Sequence, residues 1–290
     1  LDCCPDALDD ALAHKAKMGH AGAVTGRLLA AGEGWRAMDY VCTCGPRDRT
    51  FEERHTLASV SLVLSGTFLC RSGHGESLLA AGSLFLGSAG QRYECAHRHG
   101  EGDRCLSFQF EPEVFERLAH DAGARRAAFA RSGLPPLRAF APLAARAQAA
   151  MQQQGGLEEI AYALAGAAIR VTGENRARTG TRGGHRHACI AEVLRRLETR
   201  FAEPHSIADL ARMARISPYH FLRTFKQVTG VTPHQWLLRT RLRAAAQRLL
   251  ASRARVTDIA LDVGFEDLSN FVRSFRAEFG VSPRAYRSVA

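Results

Sequence analysis

Residues 206–237 read SIADLARMARISPYHFLRTFKQVTGVTPHQWL, and residues 256–287 read VTDIALDVGFEDLSNFVRSFRAEFGVSPRAYR. The second stretch repeats the first. Phe221-Leu222-Arg223-Thr224-Phe225-Lys226 returns as Phe271-Val272-Arg273-Ser274-Phe275-Arg276, and Gly230-Val231-Thr232-Pro233 returns as Gly280-Val281-Ser282-Pro283. Upstream, Ile207-Ala208-Asp209-Leu210-Ala211 recurs, shifted by one residue, as Val256-Thr257-Asp258-Ile259-Ala260. A register kept over that distance means one supersecondary unit used twice.

Each copy reads as helix, tight turn, helix. Ser206 is the expected cap of a helix over 207–213, with Asp209 near its positive end. Ala214-Arg215-Ile216 turns the chain, and Ser217-Pro218 restarts it with a cap and a proline whose missing N–H costs nothing there. Gly230 supplies a left-handed stop. The second copy turns at Gly264-Phe265-Glu266 and is capped by Asp267, whereas Arg255 is a poor cap for its first helix. Leu210, Ile216, Phe221 and Phe225 form one apolar wedge; Ile259, Phe265, Phe271 and Phe275 form the other.

The opposite faces of the two second helices are free to meet a partner. They carry Tyr219, His220, Leu222, Arg223 and Lys226 in one copy, and Leu268, Ser269, Val272, Arg273 and Arg276 in the other. Arginine bonds guanine O6 and N7 in a bidentate way, and an aliphatic tip meets the thymine methyl. Lys226 and Arg276, one turn on, suit phosphates. Leu222 and Val272 are expected to face water at the same site of both copies, which a merely solvated basic face does not explain. A helix over about 234–250, capped by Thr232-Pro233, joins the copies. It spans roughly 25 Å at about 1.5 Å per residue, against about 34 Å between successive major-groove faces. Its Leu238, Leu242, Ala245 and Leu249 are expected inside, and Arg239, Arg241, Arg243 and Arg248 mostly outside.

Charge agrees with this reading. The 290 residues carry a formal charge of +10. Residues 185–290 hold 18 Lys/Arg against 9 Asp/Glu, and residues 1–184 hold 21 against 20. An excess confined to the last third points to a polyanion, whose neutralised phosphates release counterions. The composition, 46% hydrophobic and 23% charged, is that of a globular protein large enough for two cores. No apolar run is long enough to span a bilayer. The first twenty residues, with four Asp, lack a secretory pattern, so the expected location is cytoplasmic.

Upstream, residues 51–110 read as short strands broken by glycine. Val60–Leu64 ends at Ser65-Gly66, and Thr67–Cys70 ends at Ser72-Gly73. Ser77–Ala80 and Ser83–Leu86 follow, and 105–110 puts Leu106, Phe108 and Phe110 on one face. The expectation is a small antiparallel barrel or sandwich. Helices follow at 112–120 and over 141–171, broken at Gly155-Gly156. Leu157, Ile160, Ala161, Leu164 and Ala168 make a helical stripe that suits the domain's own core or a dimer. Residues 173–186, GENRARTGTRGGHR, read as a flexible basic linker between a domain at 1–172 and one at 187–290.

Of eight cysteines, only Cys189 lies beyond residue 105. Cys95, His97 and His99 alternate along one expected strand and share a face, as do Cys42 and Cys44 on another segment. These groups would suit a soft metal such as zinc or copper(I). A thiol switch pairing Cys42 with Cys44, or Cys95 with Cys105, is the other reading, beside plain buried thiols.

The two quoted stretches make residues 187–290 resemble the DNA-binding domain of AraC-type (AraC/XylS) transcriptional regulators. Carried over by position, that family's base-contacting residues fall on Tyr219, Leu222 and Arg223, then on Leu268, Ser269, Val272 and Arg273. The resemblance implies an α+β chain: an amino-terminal cupin-like β-barrel with dimerisation helices, then an all-α domain with two helix-turn-helix units. It implies a homodimeric, sequence-specific regulator of double-stranded DNA, an activator that recruits RNA polymerase. A small-molecule, metal or thiol effector would be sensed by the barrel. The rival reading is a cupin-type metalloenzyme fused to a nucleic-acid-binding module.

Overall fold

The computed structural model describes residues 7–48, 50–97, 100–153, 155–174 and 184–288. After α1 (Ala7–Met18) come β1 (Val24–Gly32), β2 (Trp35–Cys42), β3 (Phe51–Arg54), β4 (Ala58–Ser72), β5 (Gly75–Ala80), β6 (Leu84–Gly87), β7 (Arg92–Ala96) and β8 (Asp103–Phe110). Then follow α2 (Pro112–Asp121), a two-residue β9 (Gly133–Leu134), α3 (Ala141–Gln153) and α4 (Leu157–Glu174). The carboxy-terminal part is helical: α5 (Gly184–Thr199), α6 (Ile207–Met213), α7 (Pro218–Thr229), α8 (Pro233–Ala251), α9 (Val256–Asp262), α10 (Leu268–Phe279) and α11 (Pro283–Ser288).

The strands form a path β1-β2-β8-β4-β6-β9, with β5 and β7 on the far half of β4 and β3 beyond β7. Every pairing is antiparallel. One correction follows. The two strands expected over 60–70 are a single fifteen-residue strand, β4, running through Ser65-Gly66. Its register shifts between Val63 and Ser65, a bulge that bends it from one sheet into the other. Gly66 sits at φ 78°, where a Cβ would fall 2.6 Å from Asp103 Cα, so glycine serves here as a bend within a strand. Strands β1 and β2, which lie before residue 51, were not foreseen.

Alternation gives the sheet two different faces. Val60, Leu62, Leu84, Leu86, Leu106, Phe108 and Phe110 point outward and are fully buried under α2, α3 and α4. The stripe Leu157, Ile160, Ala161, Leu164 and Ala168 fills that same core, so it is spent within the chain. The helix break falls where expected, with Gly156 at φ 75° between α3 and α4. Of the expected linker, residues 175–183 lie outside the described residues; α4 ends at Glu174 and α5 begins at Gly184.

The helical part holds two cores. Phe221, Phe225 and Trp236 fill one, which also takes in Leu78 and Ala80 of β5. Phe265, Phe271, Phe275 and Phe279 fill the other, together with Ala141 and Ala145 of α3. Each helix-turn-helix core is therefore continuous with a different piece of the amino-terminal part. The arginines of α8 are tied down where solvent-facing ones were expected. Arg239 donates to the Pro136 carbonyl at 2.5 Å, and Arg241 donates to Phe201 O at 2.7 Å. Arg243 donates to Thr240 at 3.3 Å, and Arg248 pairs with Asp262 at 3.3 Å. Arg239 and Arg241 thus satisfy main-chain carbonyls of neighbouring segments, while Arg248 stays part-exposed in a surface ion pair.

Candidate nucleic-acid interface and effector cavity

The helix-turn-helix units form for the reasons their sequence supplies. Ser206 accepts from the Asp209 N–H at 3.0 Å, and Ser217 caps α7 ahead of Pro218. Asp267 accepts from the N–H groups of Ser269 and Asn270 at 2.9 and 3.1 Å. Gly230 and Gly280 end α7 and α10 at φ 77° and 81°. Thr232 and Gln235 close a capping box at the start of α8, and α9 begins at Arg255 with no side-chain cap.

With the whole described chain present, the outer faces of α7 and α10 stay open. Tyr219 is 74% exposed, Leu222 42% and Leu268 41%. His220, Arg223, Lys226, Ser269, Arg273 and Arg276 are exposed as well. Val272 differs from expectation: it is half-buried and packs on the second core, so only Leu222 of the pair faces water. Arg273 donates to Asn270 Oδ1 at 3.2 Å, which fixes the guanidinium along the helix. Neither Arg223 nor Arg273 is turned inward.

The inner faces of the sheets enclose a cavity of about 330 Å³. β8 contributes Asp103, Cys105, Ser107 and Gln109, the residues between its outward Leu106, Phe108 and Phe110. Tyr40 and Cys42 of β2, Ser59 and Ser61 of β4, and His55, Tyr93, Cys95 and His97 complete much of the wall. Ser61 donates to Ser107 at 2.9 Å, and Gln109 donates to the Tyr40 hydroxyl at 3.1 Å. His55 stacks on Tyr93 with ring centroids 4.2 Å apart, and burial pushes its imidazole down to about 4. Tyr93 donates to Glu53, and burial followed by that carboxylate drives its phenol upward. Polar groups aimed inward with aromatic walls are what a small-ligand site needs.

The expected thiol and imidazole residues fall into groups: Cys42 and Cys44 stay hydrogen-bonded neighbours, whereas Cys95 and Cys105 do not pair. Cys42 and His97 come together, both buried, with Asp103 between β2 and the loop that carries His97. His97 Nε2 lies 2.6 Å from Asp103 Oδ1, and the Cys105 thiol donates to Asp103 Oδ2 at 3.2 Å. Cys44 is buried beyond the end of β2. Cys95 stands directly opposite Cys70 across β4 and β7, a partner other than the expected Cys105. His99 lies outside the described residues. Burial pushes the Cys42, Cys44 and Cys105 thiols up, and the Cys70 thiol with burial does so for Cys95. Asp103 was missed because β8 was read for its apolar face; its alternation already placed Asp103, Cys105, Ser107 and Gln109 together on the other.

Two family models match: "AraC-like ligand binding domain" over residues 37–167 and "Helix-turn-helix domain" over 210–288. The chain thus has the make-up of a two-part regulator, a ligand-binding sheet domain ahead of a paired helix-turn-helix. It belongs to the AraC-type family of transcription regulators. The HTH-type transcriptional activator AarP of Providencia stuartii is 31% identical over 98 residues, which cover 34% of this chain and 73% of AarP. The HTH-type transcriptional activator RhaS of Escherichia coli is 43% identical over 91 residues, 31% of this chain and 33% of RhaS. The regulatory protein PocR of Salmonella typhimurium is 30% identical over 115 residues, 39% of this chain and 38% of PocR. The matched stretch is therefore about a third of RhaS and little more than a third of PocR. Among the described residues, no helix is long and apolar enough to cross a membrane.

Proposed function

We propose that this chain is a one-component, sequence-specific transcription regulator in which α7 and α10 enter adjacent major grooves of one duplex. The observation that carries this is the paired exposure of Tyr219, Leu222 and Arg223 on α7 and of Leu268, Ser269 and Arg273 on α10. Both helices are capped and stopped alike, and α8, at 19 residues, holds them roughly 28 Å apart along its axis. Adding the width of each unit suits a groove repeat of about 34 Å. Arg223 and Arg273 read base edges, Leu222 meets a methyl, and His220, Lys226 and Arg276 contact the phosphate backbone.

The cavity is the effector site, and its occupancy reaches DNA through the contacts that join the two parts. Ala81 N–H, just past β5, donates to Glu198 of α5 at 3.1 Å, and His187 lies 3.3 Å from Glu76. A homodimer would use faces of α3 and α4 other than the buried stripe; transcription activation fits the names of AarP and RhaS, and RNA polymerase is the partner such a role would need. The proposed mechanism takes residues 173–186 as the division between its two parts. An enzymatic role fits less well, because Cys42, His97 and Asp103 do not make the two-histidine, one-carboxylate set of non-haem iron oxygenases.

Selection of bound fragments from a random duplex library tests the reading. A single motif covering about two helical turns, with binding that falls steeply as salt rises, is expected. Recovery of every sequence alike would overturn it.

A further inference from the structure

We propose that one end of the cavity is a divalent transition-metal site of the zinc class, with Cys42, His97 and Asp103 as its protein donors. This rests on the cavity being the sensor's ligand site and names what that site takes. The three donors come from separate segments that the fold brings to one point. Cys42 is the last residue of β2, Asp103 the first of β8, and the two are register partners. His97 directly follows β7. One ligand atom from each lies within 4.8 Å of the others. Bonds of about 2.0–2.3 Å to zinc set tetrahedral edges of roughly 3.3–3.8 Å, so closure needs movements of about an ångström.

The surroundings are built to hold these atoms. All three residues are buried, at 5%, 5% and 7% exposure. Gly102, directly before Asp103, is stapled to the segment after Cys42, its N–H donating to Cys44 O at 2.8 Å. Gly102 has φ 70°, and a Cβ there would lie 2.6 Å from the Cys42 carbonyl oxygen, so this position suits only glycine. The Cys105 thiol holds the second oxygen of Asp103, as an outer partner steadies a ligating carboxylate.

Charge supplies a further argument. Asp39, on the same strand as Cys42, is held by Arg104 at 2.9 Å and Arg27 at 3.2 Å. Asp103 has no Lys or Arg ion pair among the described residues; its partners are an imidazole and a thiol. Buried carboxylates are paired, hydrogen-bonded or bound to metal ions, and a cation in this cavity would give Asp103 a countercharge that no Lys or Arg supplies. Sulfur, nitrogen and oxygen together are a borderline set, which zinc accepts; copper(I) favours sulfur throughout, and magnesium and calcium favour oxygen. On binding, Cys42 releases its thiol proton to solvent and coordinates as thiolate, and the proton held between His97 and Asp103 leaves that hydrogen bond, moving to the other imidazole nitrogen or to solvent. All three donors are part of the cavity wall.

The test uses the full-length chain, stripped of metal under reducing conditions and titrated with zinc against a chromophoric chelator, and separately with cobalt(II). One equivalent of zinc should bind, and cobalt should give a thiolate-to-metal charge-transfer band. Cys42→Ser should abolish that band while circular dichroism remains native. Asp103→Asn and His97→Gln should each weaken zinc by more than the roughly 10–100-fold that an outer partner is worth. Cys70→Ser, a control on the same sheet, should leave affinity and spectrum unchanged. Absence of stoichiometric zinc, or a cobalt band that survives Cys42→Ser, overturns the proposal. Duplex binding by the same metal-free preparation keeps the outcomes apart. Selective DNA binding without zinc uptake removes only the metal site, whereas zinc uptake without selective DNA binding removes the regulator reading.

Discussion

The two helix-turn-helix copies share a register but not a construction, and the differences show which features the repeat needs. Both put a left-handed residue at the turn: Arg215 at φ 55° in the first, Gly264 at φ 92° in the second. The first copy can use arginine because that position is exposed. The second presses its turn onto Ala202, where a Cβ would lie 2.6 Å from the carbonyl oxygen, so only glycine fits. The first copy caps its leading helix with Ser206 and the second does without at Arg255. One reading helix presents an exposed Leu222; the other tucks Val272 against its core and fixes Arg273 through Asn270. Fold-defining positions, the phenylalanine wedge and the glycine stops, are shared, while DNA-facing ones diverge. Two copies reading different base pairs should diverge in that way.

The largest expected effect tests whether the copies are separate cores. Phe221 and Phe271 are fully buried, so Phe221→Ala and Phe271→Ala should each cost about 3–5 kcal/mol of stability. Hydrogen exchange should locate the loss in the mutated copy. Equal opening of both copies by either variant would merge the two cores into one.

A pH effect distinguishes how the first copy is joined to the barrel. Burial pushes Glu198 up to about 7, against the pull of Arg243 and the Ala81 N–H. Between pH about 4.5 and about 7 the unfolded chain has lost this proton and the folded chain keeps it. Stability therefore falls as pH rises through that window and levels off above it, by up to about 3 kcal/mol. In thermal melts, Glu198→Gln should remove that slope; an unchanged slope places its source elsewhere. Burial also pushes Glu278, on the second copy, upward beside Arg239.

On DNA, Arg223→Ala and Arg273→Ala should each lose about 1–3 kcal/mol and relax specificity at one position, in opposite halves of the site. Lys226→Ala should weaken all sequences alike and lower the salt slope by about 1. If either arginine variant behaves like Lys226→Ala in a binding-site selection, that copy grips without reading.

The helical half was legible because its signals are local. Ser206, Ser217-Pro218, Gly230, Thr232 and Asp267 each act within four residues of the backbone they satisfy. The α8 arginines misled, since whether a guanidinium meets water or Pro136 O depends on residues a hundred positions away. The sheet half was legible only where alternation is strong. β4 was cut in two at Ser65-Gly66, because a glycine that permits close approach to Asp103 looks in sequence like a turn. Phe108 and its neighbours were read as the core face, yet the cavity is made by the polar residues between them. Exposure of a polar stripe is decided by the second sheet, which no local pattern encodes.

The smallest effects concern the turn and cap differences, and they set the two copies against each other residue by residue. Gly264→Ala should destabilise by about 1–3 kcal/mol, from its backbone conformation and its contact with Ala202. Arg215→Gly should relieve a strain of about 1–2 kcal/mol and give back part of it as lost backbone freedom, leaving a gain of about 1 kcal/mol or less. Ser206→Ala should cost about 1 kcal/mol, and Arg255→Ser should gain a similar or smaller amount by giving α9 the acceptor it lacks. Urea melts of the four variants would check the set. If Arg255→Ser stabilises as Ser206→Ala destabilises, the second copy merely lacks a cap. If it does not, the α9 N–H groups already have another acceptor, and the start of α9 differs from that of α6 in more than one residue.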